Sequence, residues 1–218
     1  RKIIMKKFKA IIFDMDGVIV NSEELWEKSG IDFYKKHVPN ITPEVCAKFP
    51  GLNMRGVYQL VKKEFKINVI EEDFVNDFSN FGVDNIYYNV ELVPGVKELI
   101  IELSKEYDLA IASAAPWAWI NVVFERFKLE KYFKVSLSAN DDISGRGKPE
   151  PDIYLETAKR LGLEPEDCLV IEDAKNGVLS GIAAGMTVYG FQNSRIRIPQ
   201  DVSMANKVFT DFKDFPKI

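Results

Sequence analysis

Short apolar segments that alternate with longer amphipathic segments constrain the fold of this chain most strongly. Four short and mainly apolar runs lie at residues 9–13, 108–112, 168–171 and 186–189, and each is followed by a polar residue or glycine. Runs of this kind are typical of strands that are buried on both faces of a parallel sheet. Helical periodicity appears between them, at residues 96–105, 120–127, 152–161 and 177–184. The alternation predicts an α/β fold with a doubly wound parallel sheet.

The segment between the first apolar run and Pro94 has a different pattern. It contains no clear buried strand, and its amphipathic segments predict helices at residues 23–36, 43–49, 55–65 and 71–88. Pro94 and Gly95 mark a turn at which the chain returns to the sheet. We therefore expect a core of residues 1–20 and 94–218, with an all-helical cap of residues 21–93 inserted into it.

Composition and charge narrow the classes of partner and compartment. The chain has 29 basic and 33 acidic residues and no long run of lysine or arginine, so no nucleic-acid partner is expected. No apolar stretch is long enough to predict a membrane span, and residues 1–7 do not resemble a signal peptide. Cys46 and Cys168 are too few for a disulfide framework, which favours a reducing cytoplasm. A monomer is the default expectation.

Polar side chains stand where the predicted strands end. They are Asp14 and Asp16 after the first run, Ser113 after the second, Glu172 and Asp173 after the third, and Lys148 in a loop before a helix. Ligands of open parallel sheets bind beyond the carboxyl ends of the strands, so these side chains are expected to form one site. Carboxylate oxygens suit Mg²⁺. The set favours phosphoryl transfer, in which negative charge must be neutralised while the reacting groups are held in line.

Each of these side chains fits one part of such a reaction. Asp14 can attack phosphorus to give an acyl phosphate that water then hydrolyses. Asp16 can protonate the leaving oxygen and afterwards activate that water. Ser113 and Ala114, together with backbone N–H groups, are expected to hold the phosphoryl oxygens, and Lys148 to offset charge on Asp14 and the phosphate.

Four sequence motifs resemble, in order, those of the haloacid dehalogenase superfamily. They are FDMDGV at residues 13–18, IAS at 111–113, GKPEP at 147–151 and IEDAKNG at 171–177. The resemblance implies a Rossmann-like core with a helical cap, Mg²⁺ as cofactor, and Asp14 as nucleophile and metal ligand. It also implies that Asp16 is the acid/base residue with its carbonyl on the metal and that Asp173 is a metal ligand. Glu172 would bind the metal directly or through another group.

Within the superfamily, the chain resembles the sugar-phosphate phosphatases and the β-phosphoglucomutases. Asp16 disfavours dehalogenation, because true dehalogenases lack this second aspartate. Ala115, Pro116 and Trp117 stand where the mutases have serine, lysine and asparagine, and residues 80–89 offer no lysine for a second phosphate. The sequence therefore predicts a phosphatase that acts on a small phosphorylated metabolite, a sugar phosphate first. A phosphosugar mutase is the alternative, and a non-catalytic phosphometabolite-binding protein is the alternative of another class.

Arg55 is the candidate in the cap for contact with the substrate. It follows residues 51–53, which resemble the cap loop that reaches the active site in this subfamily. Its guanidinium would suit a second polar or anionic group of the substrate. A solvated arginine at the start of a helix is the alternative interpretation.

Overall fold

Six parallel strands form the central sheet in the described part of the chain. The structure is a computed structural model that describes residues 8–49, 52–143, 146–194 and 200–218, so the N-terminal segment 1–7 lies outside the described residues. The strands are β1 (Ala10–Phe13), β2 (Asp108–Ser113), β3 (Val135–Ser138), β4 (Cys168–Glu172), β5 (Thr187–Phe191) and β6 (Lys207–Phe209). Their order is β3-β2-β1-β4-β5-β6. The chain moves from β1 outward to β3 and then returns to β4 on the other side of β1, which confirms the predicted Rossmann-like class.

The central strands are apolar because both faces of the sheet are covered. All four residues of β1 are fully buried. Ile11 and Phe13 point into one apolar core, whereas Ala10 and Ile12 belong to the other. A strand in this position has no solvent-facing side, so its sequence shows a continuous apolar run rather than an alternation.

Helices make up most of the segment between β1 and Pro94. They are α1 (Glu23–Leu25), α2 (Ile31–His37), α3 (Pro43–Cys46), α4 (Met54–Glu64) and α5 (Glu71–Phe81), with π-helical turns at Trp26–Gly30 and Gly82–Tyr87. Aromatic rings hold these helices together, as when Phe33 stacks on Phe78 with ring centroids 5.1 Å apart. Val20 forms an antiparallel bridge with Leu92, where the two chain connections to the sheet meet. The division into a core and a cap of residues 21–93 is our proposal.

Four further helices pack on the sheet. They are α6 (Val96–Leu103), α7 (Trp117–Phe127), α8 (Asp152–Leu161) and α9 (Lys175–Ala183). The sequence prediction matches the bounds of α8, but it places the start of α7 three residues too late. Pro116 precedes the first turn of α7, a position that proline suits. Within the described residues, no helix is both long and apolar enough to cross a membrane.

Two strands were not predicted from the sequence. In β3 the first two residues are only partly buried, and Ser136 and Ser138 interrupt its apolar pattern. In β6 there are only three residues, of which two are exposed at the edge of the sheet. Short strands with partial burial carry too little apolar signal to be separated from loops.

We expect Gly82→Ala to destabilise the chain, because a Cβ there would collide with the indole ring of Trp119. That ring stacks on Tyr87 and is 5% exposed, so it has little room to move. Overpacking of this kind costs about 3 kcal/mol. Alanine gains roughly 1 kcal/mol over glycine in a helix, which leaves a net loss of about 2 kcal/mol.

Urea denaturation measures this loss of stability. Asn80→Ala, at an exposed position of α5, is the control and should change stability by less than about 0.5 kcal/mol. An unchanged midpoint for Gly82→Ala would contradict the close packing of this turn on α7.

Candidate active site

The chain turns sharply after β1, and the turn brings two carboxylates to the end of the sheet. The backbone N–H of Asp14 donates to the carbonyl of Ile171 at 3.0 Å, so Asp14 stays in line with β4. Gly17 has a φ of 77°, in the left-handed region that favours glycine. A Cβ at Gly17 would overlap the carboxylate of Asp173. The glycine therefore both permits the turn and leaves room for Asp173 to approach it.

Lys148 forms the centre of a buried ion network. Its Nζ lies 2.6 Å from Oδ1 of Asp14 and 2.5 Å from Oε1 of Glu172, and the residue is 1% exposed. It also donates to the carbonyl of Ala112 at 3.2 Å and lies over the ring of Tyr154. Burial alone would lower the pKa of Lys148, but the two carboxylates outweigh burial and hold it well above its usual range. The ammonium therefore stays charged.

Glu172 receives hydrogen bonds on both of its oxygens. Its Oε1 accepts from Lys148 and from the hydroxyl of Tyr154 at 2.8 Å. Its Oε2 accepts from the backbone N–H groups of Asp173 and Ala174, at 3.0 and 3.2 Å. A Cβ at Gly177 would overlap this carboxylate, so the first turn of α9 can pack here only with glycine. Glu172 thus fixes Lys148 and the loop that follows β4.

Three buried carboxylates lie close enough to share one cation. One oxygen each of Asp14, Glu172 and Asp173 lies within 4.8 Å of the others. Burial, and then the charge of Glu172, raise the pKa of Asp173 well above its usual value, and no lysine or arginine among the described residues pairs with it. Burial also raises the pKa of Asp14, although Lys148 opposes the shift. One ammonium does not balance three carboxylates, so this set of oxygens fits a divalent cation such as Mg²⁺.

Asp16 is held by two hydroxyl groups that come from opposite ends of the helical segment. Its Oδ1 accepts from Oγ of Ser22 at 2.6 Å and from the hydroxyl of Tyr87 at 2.5 Å. Burial raises the pKa of Asp16, and both hydrogen bonds act against that rise. The sequence analysis missed Tyr87, which stands 71 positions after Asp16 in a helical pattern that shows no link to the site.

The remaining predicted site residues fall into two groups. Ser113 is fully buried at the end of β2, and its Oγ accepts from the N–H of Ala115 at 3.1 Å. Ala114 lines the same cavity as Asp14. Arg55 forms an exposed ion pair with Glu71 and does not line this cavity. The structure therefore brings the strand-end residues together, and it places Arg55 apart from them.

A cavity of about 650 Å³ opens beside these carboxylates. Asp14, Asp16 and Asp173 line it, and Trp119 and residues of the helical segment form much of the remaining wall. The volume lies in the range of about 300–1,000 Å³ that is usual for small-molecule sites. The arrangement places the Asp14 carboxylate, the fixed ammonium of Lys148 and a set of oxygens that fits a cation beside a space for a small ligand.

Comparisons with known proteins find relatives of this chain both in sequence and in structure. A family model described as haloacid dehalogenase-like hydrolase matches residues 11–191. Hexitol phosphatase A of Escherichia coli (strain K12) is 29% identical over 92% of this chain and 88% of its own length. The phosphorylated carbohydrates phosphatase of Thermotoga maritima is 30% identical over 85% of this chain and 86% of its own. The structure of β-phosphoglucomutase from Clostridium difficile has a TM-score of 0.78 at 25% identity, covering 96% of this chain and 93% of that one.

Asp173→Asn should stabilise the metal-free chain, because it removes one of the three buried carboxylates. We expect the free energy of unfolding in EDTA to rise by about 1–3 kcal/mol at pH 8. A raised pKa means that the folded chain holds this proton more tightly than the unfolded chain, so the loss of stability begins as the pH rises above the unfolded pKa and is complete above the raised folded pKa. The gain should therefore shrink as the pH falls toward 4.

Urea denaturation at several pH values measures this gain. The exposed Asp84→Asn variant is the matched control and should change stability by less than about 0.5 kcal/mol. A loss of stability for Asp173→Asn at pH 8 would show that the Asp173 carboxylate is favourably paired without metal.

Proposed function

Because the chain belongs to the haloacid dehalogenase-like hydrolases, we propose that it is a magnesium-dependent phosphatase in which Asp14 attacks a small phosphorylated metabolite. The observation that supports this most is the buried network in which Lys148 joins Asp14 to Glu172 with Asp173 close by. A phosphoryl group that enters beside Asp14 would meet both the nucleophile and a fixed positive charge. Catalysis of phosphoryl transfer depends chiefly on such positioning and charge stabilisation.

Asp14 and Asp16 carry the two chemical steps. Lys148 holds Oδ1 of Asp14, and the other carboxylate oxygen forms the bond to phosphorus while the ester P–O bond breaks. Asp16 gives its proton to the departing alcohol oxygen, and burial favours the protonated form that this step needs. In the second step Asp16 takes a proton from water, which attacks the acyl phosphate and releases phosphate and free Asp14.

The hydrogen bonds that each carboxylate already accepts indicate which residues would hold the cation. Asp14, Asp173 and the backbone carbonyl of Asp16 would bind Mg²⁺, which when bound neutralises charge on the carboxylates and phosphoryl oxygens. Glu172 already accepts four hydrogen bonds, from Lys148, Tyr154 and two backbone N–H groups. We therefore assign Glu172 to orienting Lys148 and the loop rather than to direct metal binding.

The first support for a substrate class is the names of the relatives. The proteins named hexitol phosphatase and phosphorylated carbohydrates phosphatase favour phosphate esters of sugars and sugar alcohols. The likeness to β-phosphoglucomutase keeps a mutase as the second candidate. Trp117 stands in the segment after β2 and directs its backbone and indole N–H groups to Asp141 and Asp142. That residue supplies no ammonium or amide to a transferring phosphate, which favours hydrolysis.

Asp14→Asn tests the nucleophile. We expect the rate of phosphate release in Mg²⁺ to fall by at least about a thousandfold, because an amide cannot form the acyl phosphate. Circular dichroism should show an unchanged fold, and EDTA should abolish release by the wild type until Mg²⁺ is restored. Asp84→Asn is the control and should keep full activity. Release by Asp14→Asn at the wild-type rate would mean that the nucleophile is assigned wrongly.

Product analysis separates hydrolysis from mutase action. With β-glucose 1-phosphate as substrate, the proposed phosphatase should yield free phosphate and glucose. A mutase would instead yield glucose 6-phosphate with little free phosphate, and that result would contradict our assignment.

Tyr87→Phe tests whether the hydroxyl of Tyr87 positions Asp16. Loss of one hydrogen bond should lower kcat by about tenfold and change KM little, because the bond orients a proton-transfer group. The hydrogen bond lowers the pKa of Asp16, so its loss should raise that pKa and move to higher pH the limb of the pH–rate profile that Asp16 sets. Tyr58→Phe loses a hydrogen bond to the carbonyl of Val69 and serves as the control. A pH profile that Tyr87→Phe leaves unchanged would contradict this role.

A further inference from the structure

The cavity beside Asp14 is walled mainly by apolar side chains. Because Asp14, Asp16 and Asp173 line it, an ester whose phosphate lies at these carboxylates must place its alcohol part in the remaining volume. The chemistry of the remaining wall therefore decides which alcohol fits.

Aromatic rings form a large part of that wall. They belong to Trp26, Tyr34, Phe49, Phe78, Tyr87 and Trp119. Trp26 and Phe78 meet edge to face with centroids 5.1 Å apart, and Phe78 and Trp119 do so at 5.6 Å. The indole N–H of Trp119 donates to the carbonyl of Ser79, and the hydroxyl of Tyr87 donates to Asp16. The polar ends of these two side chains are thus already occupied. Tyr87 is fully buried and stacks on Trp119, so it supports the wall, and Trp119 contributes apolar ring surface.

Aliphatic side chains complete the apolar part of the wall. Apart from the three aspartates, its polar side chains include the carboxyl groups of Glu23 and Glu27, the amide of Gln200 and the hydroxyl of Tyr34, and apolar residues outnumber them. Ile31, Leu52, Met54 and Val57 contribute apolar surface. Tyr34 is 6% exposed, and its hydroxyl has no hydrogen-bond partner among the described residues. A polyhydroxylated chain bears several hydroxyls, and each one buried against such a wall without a partner would weaken binding about tenfold.

We infer that the alcohol part of the substrate carries an aromatic ring, which packs against the aromatic wall of this cavity. Rings prefer offset or edge-to-face contact with other rings, and the wall already presents rings in that relation. The free hydroxyl of Tyr34 offers one hydrogen bond to orient the ligand. The inference rests on the proposed phosphatase function, because it names the ester that Asp14 attacks. The names of the relatives favour esters of sugars and sugar alcohols, whereas the wall of this cavity favours an ester with a ring, and the experiments below separate these two substrate classes.

Two phosphate esters of primary alcohols test the inference directly. We expect kcat/KM for 2-phenylethyl phosphate to exceed that for sorbitol 6-phosphate by at least about tenfold, which is the scale of discrimination that an apolar pocket supplies. The two leaving groups have similar reactivity, so the ratio reports on the cavity. Equal values, or a preference for sorbitol 6-phosphate, would overturn the inference and leave the proposed function intact.

A pair of variants links the preference to the wall. Leu52→Asn places an amide in the cavity on a side chain with the same number and branching of heavy atoms, and we expect it to lower the ratio by about tenfold. Leu60→Asn makes the same exchange at a partly buried position of α4 that does not line the cavity, and it should leave the ratio unchanged. A ratio that Leu52→Asn does not lower would overturn the assignment of this wall to the ring.

Binding to the inactive Asp14→Asn variant separates this inference from the proposed function. Isothermal titration calorimetry should show that 2-phenylethyl phosphate binds at least about tenfold more tightly than sorbitol 6-phosphate. If the wild type released phosphate from neither ester while this difference in binding held, the proposed function would fail, and only the preference of the cavity for an aromatic ring would remain. Equal binding of the two esters would overturn the inference whatever the wild type hydrolyses.

Discussion

The ion network of Lys148 with Asp14 and Glu172 is the interaction on which the rest of the site depends. Removing charges from water costs several kcal/mol per ion, and close pairing with further hydrogen bonds is needed to offset that cost. Here the partners come from the ends of β1 and β4 and from the loop before α8, so the network forms only when these elements meet. The sheet order places β1 beside β4, so the ends of these two strands lie next to each other. The same arrangement places Asp173 close to Asp14 and Glu172, and a bound cation would offset the negative charge of these carboxylates.

The sequence predicted the centre of the sheet better than its edges, and burial explains the difference. β1 and β4 are covered on both faces, so selection for apolar residues at every position leaves a run that is easily seen. β3 contains two serines and β6 is exposed over two of its three residues. Apolarity and length are the only signals that a single sequence gives for such strands, and both are weak here.

The residues of the candidate site also differ in whether the sequence alone could predict them. Side chains at strand ends could be predicted because parallel strands deliver their carboxyl ends to one edge. Tyr87 and Tyr154 could not, since their hydroxyls reach Asp16 and Glu172 across 71 and 18 positions of the chain. In the sequence both tyrosines fit the apolar face of a helix, and only the folded chain shows the hydroxyl contact. Arg55 illustrates the converse, because its loop resembled a substrate-binding one while its guanidinium pairs with Glu71.

In the proposed function, different parts of this chain supply the chemistry and the selectivity. The carboxylates and the lysine belong to strand ends and core loops, where the ion network fixes their positions. Most of the cavity wall comes from the helical segment between β1 and Pro94, whose contacts with Asp16 are the hydroxyls of Ser22 and Tyr87. Substitution in those helices can alter the fit of the alcohol without disturbing the buried charges. A family can therefore keep one reaction while its members accept different esters.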